Sequence, residues 1–130
     1  MANELVLIIE DSEPNRRLAR DLLRVHGYRT IEAETAEKGM ALAVELTPDL
    51  VVMDIHLPGI DGIEALRQLR ATASTRAVPV IAFTASVMAQ DRSRILAAGF
   101  DGFVSKPIDL DAFIEAVAAA ITQRGPGAPT

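Results

Sequence analysis

Five short apolar runs, many of their residues β-branched, alternate along the chain with longer stretches of helical spacing, and this alternation restricts the fold more than any other feature. The runs are Leu5 to Ile9, Tyr28 to Ala33, Leu50 to Met53, Val80 to Thr84 and Gly102 to Ser105. Most are apolar almost without interruption, the pattern of strands buried on both faces. Ser12 is placed to cap a first helix, with Pro14 in its opening turn and Gly27 at its end. A second helix is expected from near Thr35 to before Pro48, a third from Asp61-Gly62 to about Ala71, and a fourth through "AQDRSRILAA" to Gly99. The fifth opens at Asp109 and stripes Leu110, Phe113, Ile114, Val117 and Ile121 along one face. A parallel sheet covered by helices on both sides follows. Right-handed crossovers reduce its topology to a doubly wound α/β sandwich of five strands and five helices. At 130 residues the chain has the length of one domain, expected over residues 1–124, with "GPGAPT" at 125–130 as a flexible tail.

In such sheets the ligand crevice lies beyond the carboxyl ends of the strands. The first strand ends in Glu10-Asp11, the third in Asp54, the fourth in Thr84 and the fifth in Ser105-Lys106-Pro107. The second ends in Ala33 and Glu34, which suits an outer strand. Three converging acids repel one another unless a cation compensates, and an all-oxygen site suits Mg²⁺. Asp54 could then attack phosphorus, while Lys106 and the Thr84 hydroxyl supply a counter-charge and a donor to phosphoryl oxygens. Each residue also has a plainer use. Asp54 suits a turn before "LPGIDG", Asp11 and Ser12 a helix cap, Thr84 an ordinary strand, Phe103 the core and Lys106 a solvated surface. His26, near a helix end, complements the helix dipole, and Met40, Met53 and Met88 read as packing.

Composition removes several alternatives. With 49% hydrophobic and 24% charged residues and no apolar run long enough to cross a bilayer, the chain reads as a soluble protein with no membrane partner. The opening "MANELVLIIED" lacks the basic segment of a secretory signal, and the absence of cysteine excludes disulfides and thiolate metal sites. Both fit a cytoplasmic location. A net charge of −5 argues against a nucleic-acid partner; only "NRR", with Arg20 and Arg24, makes a local basic stripe.

Glu10-Asp11, Asp54 with "LPGIDG", Thr84-Ala85 and Lys106-Pro107, in this order, resemble the receiver domain of two-component response regulators. The resemblance covers the chain to about Arg124 and implies the CheY-like, flavodoxin-like (βα)5 fold with strand order 2-1-3-4-5. It implies that Asp54 accepts a phosphoryl group from a phosphohistidine on a sensor histidine kinase or histidine phosphotransfer protein. It further implies Mg²⁺ held by Asp11, Asp54 and the His56 backbone carbonyl, with Glu10 acting mainly through water. Thr84 and Phe103 resemble a switch pair, and Pro58, Gly62, Ala85 and Pro107 support the motifs; Pro107 is implied to follow a cis bond that aims Lys106 inward. Phe103 lacks the phenol oxygen found in many receivers at this position. His56 and Ser86 are implied to tune phosphoryl hydrolysis. The domain is then a signalling switch rather than an enzyme, although it assists its own phosphorylation and dephosphorylation.

"EDSEPNRRLARDLL" and "IAFTASVMAQDRSRILAAGFDGFVSKPID" are most similar to stand-alone cell-division (DivK-type) receivers and to receivers fused to hybrid kinases. If the chain is complete, the signal must leave through a protein surface, which the resemblance implies to be the face of the fourth helix, fifth strand and fifth helix, toward a downstream protein. A module excised from a hybrid histidine kinase is the nearest alternative. An aspartyl-nucleophile phosphatase would want a second acid near its nucleophile, which "DIH" lacks, and a flavin or nucleotide carrier would want a glycine-rich loop where "EDSEPN" stands.

Overall fold

The computed structural model describes residues 3–57, 59–84 and 89–124. Its elements run β1 (Leu5–Ile9), α1 (Glu13–Val25), β2 (Arg29–Ala33), α2 (Ala36–Leu46), β3 (Leu50–Asp54), α3 (Gly62–Ala71), β4 (Val80–Thr84), α4 (Ala89–Ala98), β5 (Gly102–Ser105) and α5 (Leu110–Arg124). The strands form one parallel sheet in the order β2-β1-β3-β4-β5, as expected from the alternation and the resemblance. Strand boundaries differ from expectation by one residue at two places, and α5 begins at Leu110, one residue after the expected Asp109. Tyr28 stays outside β2, where its N–H closes back on Leu23, and Asp54 joins β3, where it pairs with Phe83.

Alternation along the strands divides the core in two. Leu7, Ile9, Val51, Met53, Val80 and Ala82 meet α2, α3 and α4 on one face. Val6, Ile8, Leu50, Val52, Ile81 and Phe83 meet α1 and α5 on the other. Because both faces are covered, the residues of the inner strands β3 and β4 are buried whichever way they point, whereas β2 and β5 at the edges stay partly open, which is why the inner runs carry no polar alternation. The close approach of α2 requires a missing side chain: a Cβ on Gly39 would lie 2.3 Å from Ile9 Cδ1.

Local chemistry sets the helix ends. Thr35 and Asp61 accept hydrogen bonds from Lys38 and Glu64 N–H and so cap α2 and α3. Gly27, at φ 90°, turns the chain out of α1. Ser12 occupies the α1 cap position in extended conformation, but its side chain makes no capping hydrogen bond; its N–H donates instead to Glu10 Oε2 at 3.1 Å. Among the described residues no helix is long and apolar enough to cross a membrane. The expected tail at 125–130, and Met88, lie outside the described residues.

Candidate functional site

The carboxyl ends of β1, β3 and β5 bring Glu10, Asp11, Asp54 and Lys106 together. One carboxylate oxygen from each of the three acids lies within 4.8 Å of the others. Glu10 and Asp54 are buried, whereas Asp11 is exposed. Lys106 follows β5, and its peptide bond to Pro107 is cis. Its Nζ stands 2.9 Å from Glu10 Oε1 and 3.1 Å from Asp54 Oδ2. The amine also lies 5.6 Å above the centroid of Phe83, within reach of a cation–π attraction.

Asp54 is held at both oxygens, since Oδ1 accepts from the His56 N–H at 2.9 Å while Oδ2 faces Lys106. Glu10 is held less completely. Oε2 accepts from Ser12, but Oε1 is fully buried and has no hydrogen bond of good direction, although it is at ion-pair distance from Lys106. Burial pushes the Glu10 carboxyl up from 4.5 to about 7; the Lys106 amine and Ser12 N–H oppose the rise, and the neighbouring Asp54 charge adds to it. Burial works in the opposite sense on Lys106, but its close contacts with the Glu10 and Asp54 carboxylates outweigh that and raise it above its ordinary value. The amine is therefore charged at neutral pH.

A buried carboxylate oxygen without a proper donor, beside two further acids in an all-oxygen set, fits a hard divalent cation better than zinc or copper.

The loop after β3 is fixed at this point by Gly62. Its N–H donates to Ile55 O at 2.9 Å, and a Cβ there would lie 2.8 Å from Ile55 Cα and 2.9 Å from Asp54 O. Both are backbone atoms, so only glycine lets α3 begin against the strand end. His56 itself is exposed.

Thr84 is buried at the end of β4, and its carbonyl accepts from Lys106 N–H at 2.8 Å. Phe103, paired with Ala82, is half-buried and packs against the cluster under α2, α3 and α4. Strand alternation sets Thr84 and Phe103 toward the same face of the sheet, one pleat apart. Pro107 is exposed, and Pro58, Ala85 and Ser86 lie outside the described residues. The sequence marks Arg16 only as part of the basic stripe at "NRR" and not as a site residue, yet its Nη1 donates to Glu10 O at 2.9 Å. A basic residue one helical turn into the helix after an acidic strand end is the only signal that could have pointed to it.

A five-stranded sheet in this order, with acids and one amine at its carboxyl edge, defines a CheY-like α/β protein. The chain belongs to the response regulator receiver domain family, whose model matches residues 6–118. It is 42% identical over 112 residues to the polar-differentiation response regulator DivK of Brucella ovis, covering 86% of this chain and 91% of that protein. Among solved structures, it resembles the receiver domain of a sensor histidine kinase from Pseudomonas aeruginosa, which has a magnesium ion coordinated in its active-site cleft. That likeness has a TM-score of 0.85 and 30% identity, over 92% of this chain and 98% of that one. The chemotaxis protein CheY4 of Vibrio cholerae shares the fold at TM-score 0.85 and 20% identity, over 91% and 98% of the two chains. The chain is accordingly a two-component receiver.

Proposed function

We propose that Asp54 accepts a phosphoryl group from a phosphohistidine on a sensor histidine kinase or phosphotransfer protein, and that the resulting change at the site alters a protein-binding surface. One observation carries this reading: a single amine reaches both buried carboxylates, at 2.9 and 3.1 Å, with a third acid beside them. Asp11, Asp54 and the His56 backbone carbonyl would hold Mg²⁺, with Glu10 beside them. When bound, the ion neutralises charge on the transferring phosphoryl group.

In the transfer, an Asp54 carboxylate oxygen forms the new P–O bond as the P–N bond of the phosphohistidine breaks. The leaving imidazole nitrogen keeps the bonding pair and takes up a proton. Lys106 exchanges its contact with Asp54 for one with a phosphoryl oxygen, and so supplies a charge-assisted donor where negative charge accumulates. The Thr84 hydroxyl is the second donor, with Phe103 responding behind it. The link between Lys106 N–H and Thr84 O ties the amine to the switch residue through the backbone.

The output face is that of α4, β5 and α5, in a cytoplasmic domain spanning residues 1–124 with neither nucleic acid nor membrane as partner. The domain works as a switch that assists its own phosphorylation and dephosphorylation. The 30% identity to a receiver of a histidine kinase supports a second reading, in which the domain acts while joined to a kinase.

The test is intact mass after incubation with acetyl phosphate and Mg²⁺. The wild type is expected to gain one phosphoryl group, and Asp54→Asn or a chelated sample none. A gain retained by Asp54→Asn would remove Asp54 as the acceptor. For the switch, Thr84→Ala is expected to take up phosphoryl groups yet leave the amide shifts of β5 and α5 close to those of the unphosphorylated protein; a full wild-type response would separate Thr84 from the switch.

A further inference from the structure

Glu10 and Asp11 sit on a short turn between β1 and α1, and that turn is anchored to β2 from both sides. The Glu10 N–H donates to Ala33 O at 3.0 Å. The Glu10 carbonyl, which belongs to the peptide joining Glu10 to Asp11, accepts from Arg16 Nη1 at 2.9 Å. Arg16 is in turn held by β2, with its Nε 3.3 Å from Glu32 Oε1 and its side chain only 13% exposed. Glu32 also lies 3.7 Å from Arg20 Nη1. Both acids of the turn therefore hang from a peptide whose carbonyl is fixed by one guanidinium, whose planar fork can serve a carbonyl and a carboxylate together.

We propose that Arg16, braced by Glu32, is a positioning residue that fixes the Glu10–Asp11 peptide so that both carboxylates stand where one divalent cation can share them. This rests on the reading of the site as a Mg²⁺-dependent acceptor. The sign of the effect separates position from charge. Removing a nearby positive charge tightens cation binding by Coulomb's law, whereas releasing the turn weakens it. Outer-shell partners of metal ligands typically contribute about 10–100-fold to affinity, and a partner acting through backbone belongs at the low end of that range.

The experiment titrates Mg²⁺ into the full chain calorimetrically and follows backbone amide exchange in the metal-free protein. Arg16→Met is expected to raise the Kd for Mg²⁺ about tenfold and to speed exchange at Ser12, whose N–H bonds Glu10 Oε2. Arg16→Lys should fall between the two proteins. Arg17→Met, which deletes the same charge one residue away, should bind as well as wild type or slightly better. If Arg16→Met does not fold, Arg16→Lys, which keeps the charge but loses the planar fork, carries the comparison with a weaker loss. Binding by the Arg16 variants as tight as wild type, or an equal loss in Arg17→Met, overturns the proposal. A wild type that neither binds Mg²⁺ nor gains phosphoryl mass overturns it together with the functional reading, whereas a wild type that does both isolates the failure to Arg16.

Discussion

Aspartates stand at both ends of the sheet, and the two ends use them in opposite ways. At the amino end, Asp49 accepts from Leu5 N–H at 2.8 Å and donates its own N–H to Leu5 O at 2.8 Å. Asp101 repeats the device on β4: its carboxylate accepts from Val80 N–H at 2.8 Å, and its N–H donates to Val80 O at 2.8 Å. Arg70 completes the second clasp, donating to Asp101 at 2.9 Å and to the carbonyls of Val78 and Arg76. These carboxylates satisfy backbone donors and lock neighbouring strands in register. At the carboxyl end, acids face acids, and a buried oxygen of Glu10 lacks a well-aimed donor. Carboxylates stabilise the fold at one edge and crowd together at the other, where the shortfall falls on Glu10 while Asp54 is held at both oxygens.

The sharpest way to break this contrast is through Lys106. Lys106→Met is expected to slow phosphoryl uptake from acetyl phosphate about a hundredfold, while Asp101→Ala leaves the rate unchanged; equal losses in both would erase the division between the edges. Stability should show the converse. Asp101→Ala strips an acceptor from the fully buried Val80 N–H and from Arg70, and urea unfolding should reveal a loss of roughly 2–3 kcal/mol.

A third effect depends on pH. The Glu10 carboxyl, at about 7 in the folded protein against 4.5 ordinarily, keeps its proton over a range where the unfolded chain has released it. Its contribution to stability is therefore fully present below 4.5 and is lost as pH rises through about 7. Metal-free protein should lose on the order of 1–2 kcal/mol at this group between about pH 5 and pH 8, and Glu10→Gln should flatten that slope. A steeper decline in the variant would place the charge strain elsewhere. The smallest change is expected for Asp49→Ala, about 1 kcal/mol, because Leu5 and Asp49 are only half-buried.

The sheet was legible in the chain because the inner strands announce themselves as almost unbroken apolar runs, and the helix ends because Thr35, Asp61 and Gly27 act through local chemistry that needs no distant partner. The acids at the carboxyl edge were legible for a related reason: polar residues at the ends of such runs have one place to go. What stayed hidden depends on contacts between segments far apart in sequence. The sequence does not show that Arg70 reaches Asp101, that Asp49 clasps Leu5, or that Arg16 grips the Glu10 carbonyl. Ser12 shows the limit of local rules as well. It occupies a cap position, but its side chain makes no cap bond, and its amide is engaged by Glu10.

The aromatic floor beneath Lys106 has its own consequence. Phe83 stacks on Phe113 of α5 with ring centroids 5.7 Å apart and planes tilted by 13°, so the amine rests on a two-ring plank that runs from the middle of the sheet into a surface helix. Trimming the far ring, as in Phe113→Leu, would let the near one tilt and so change how firmly the ammonium is seated, although the altered side chain lies beyond the ring that carries the ammonium. Mutations chosen to remodel the α5 surface will thus be felt at the carboxyl edge of the sheet whenever they reach that helix's inner side.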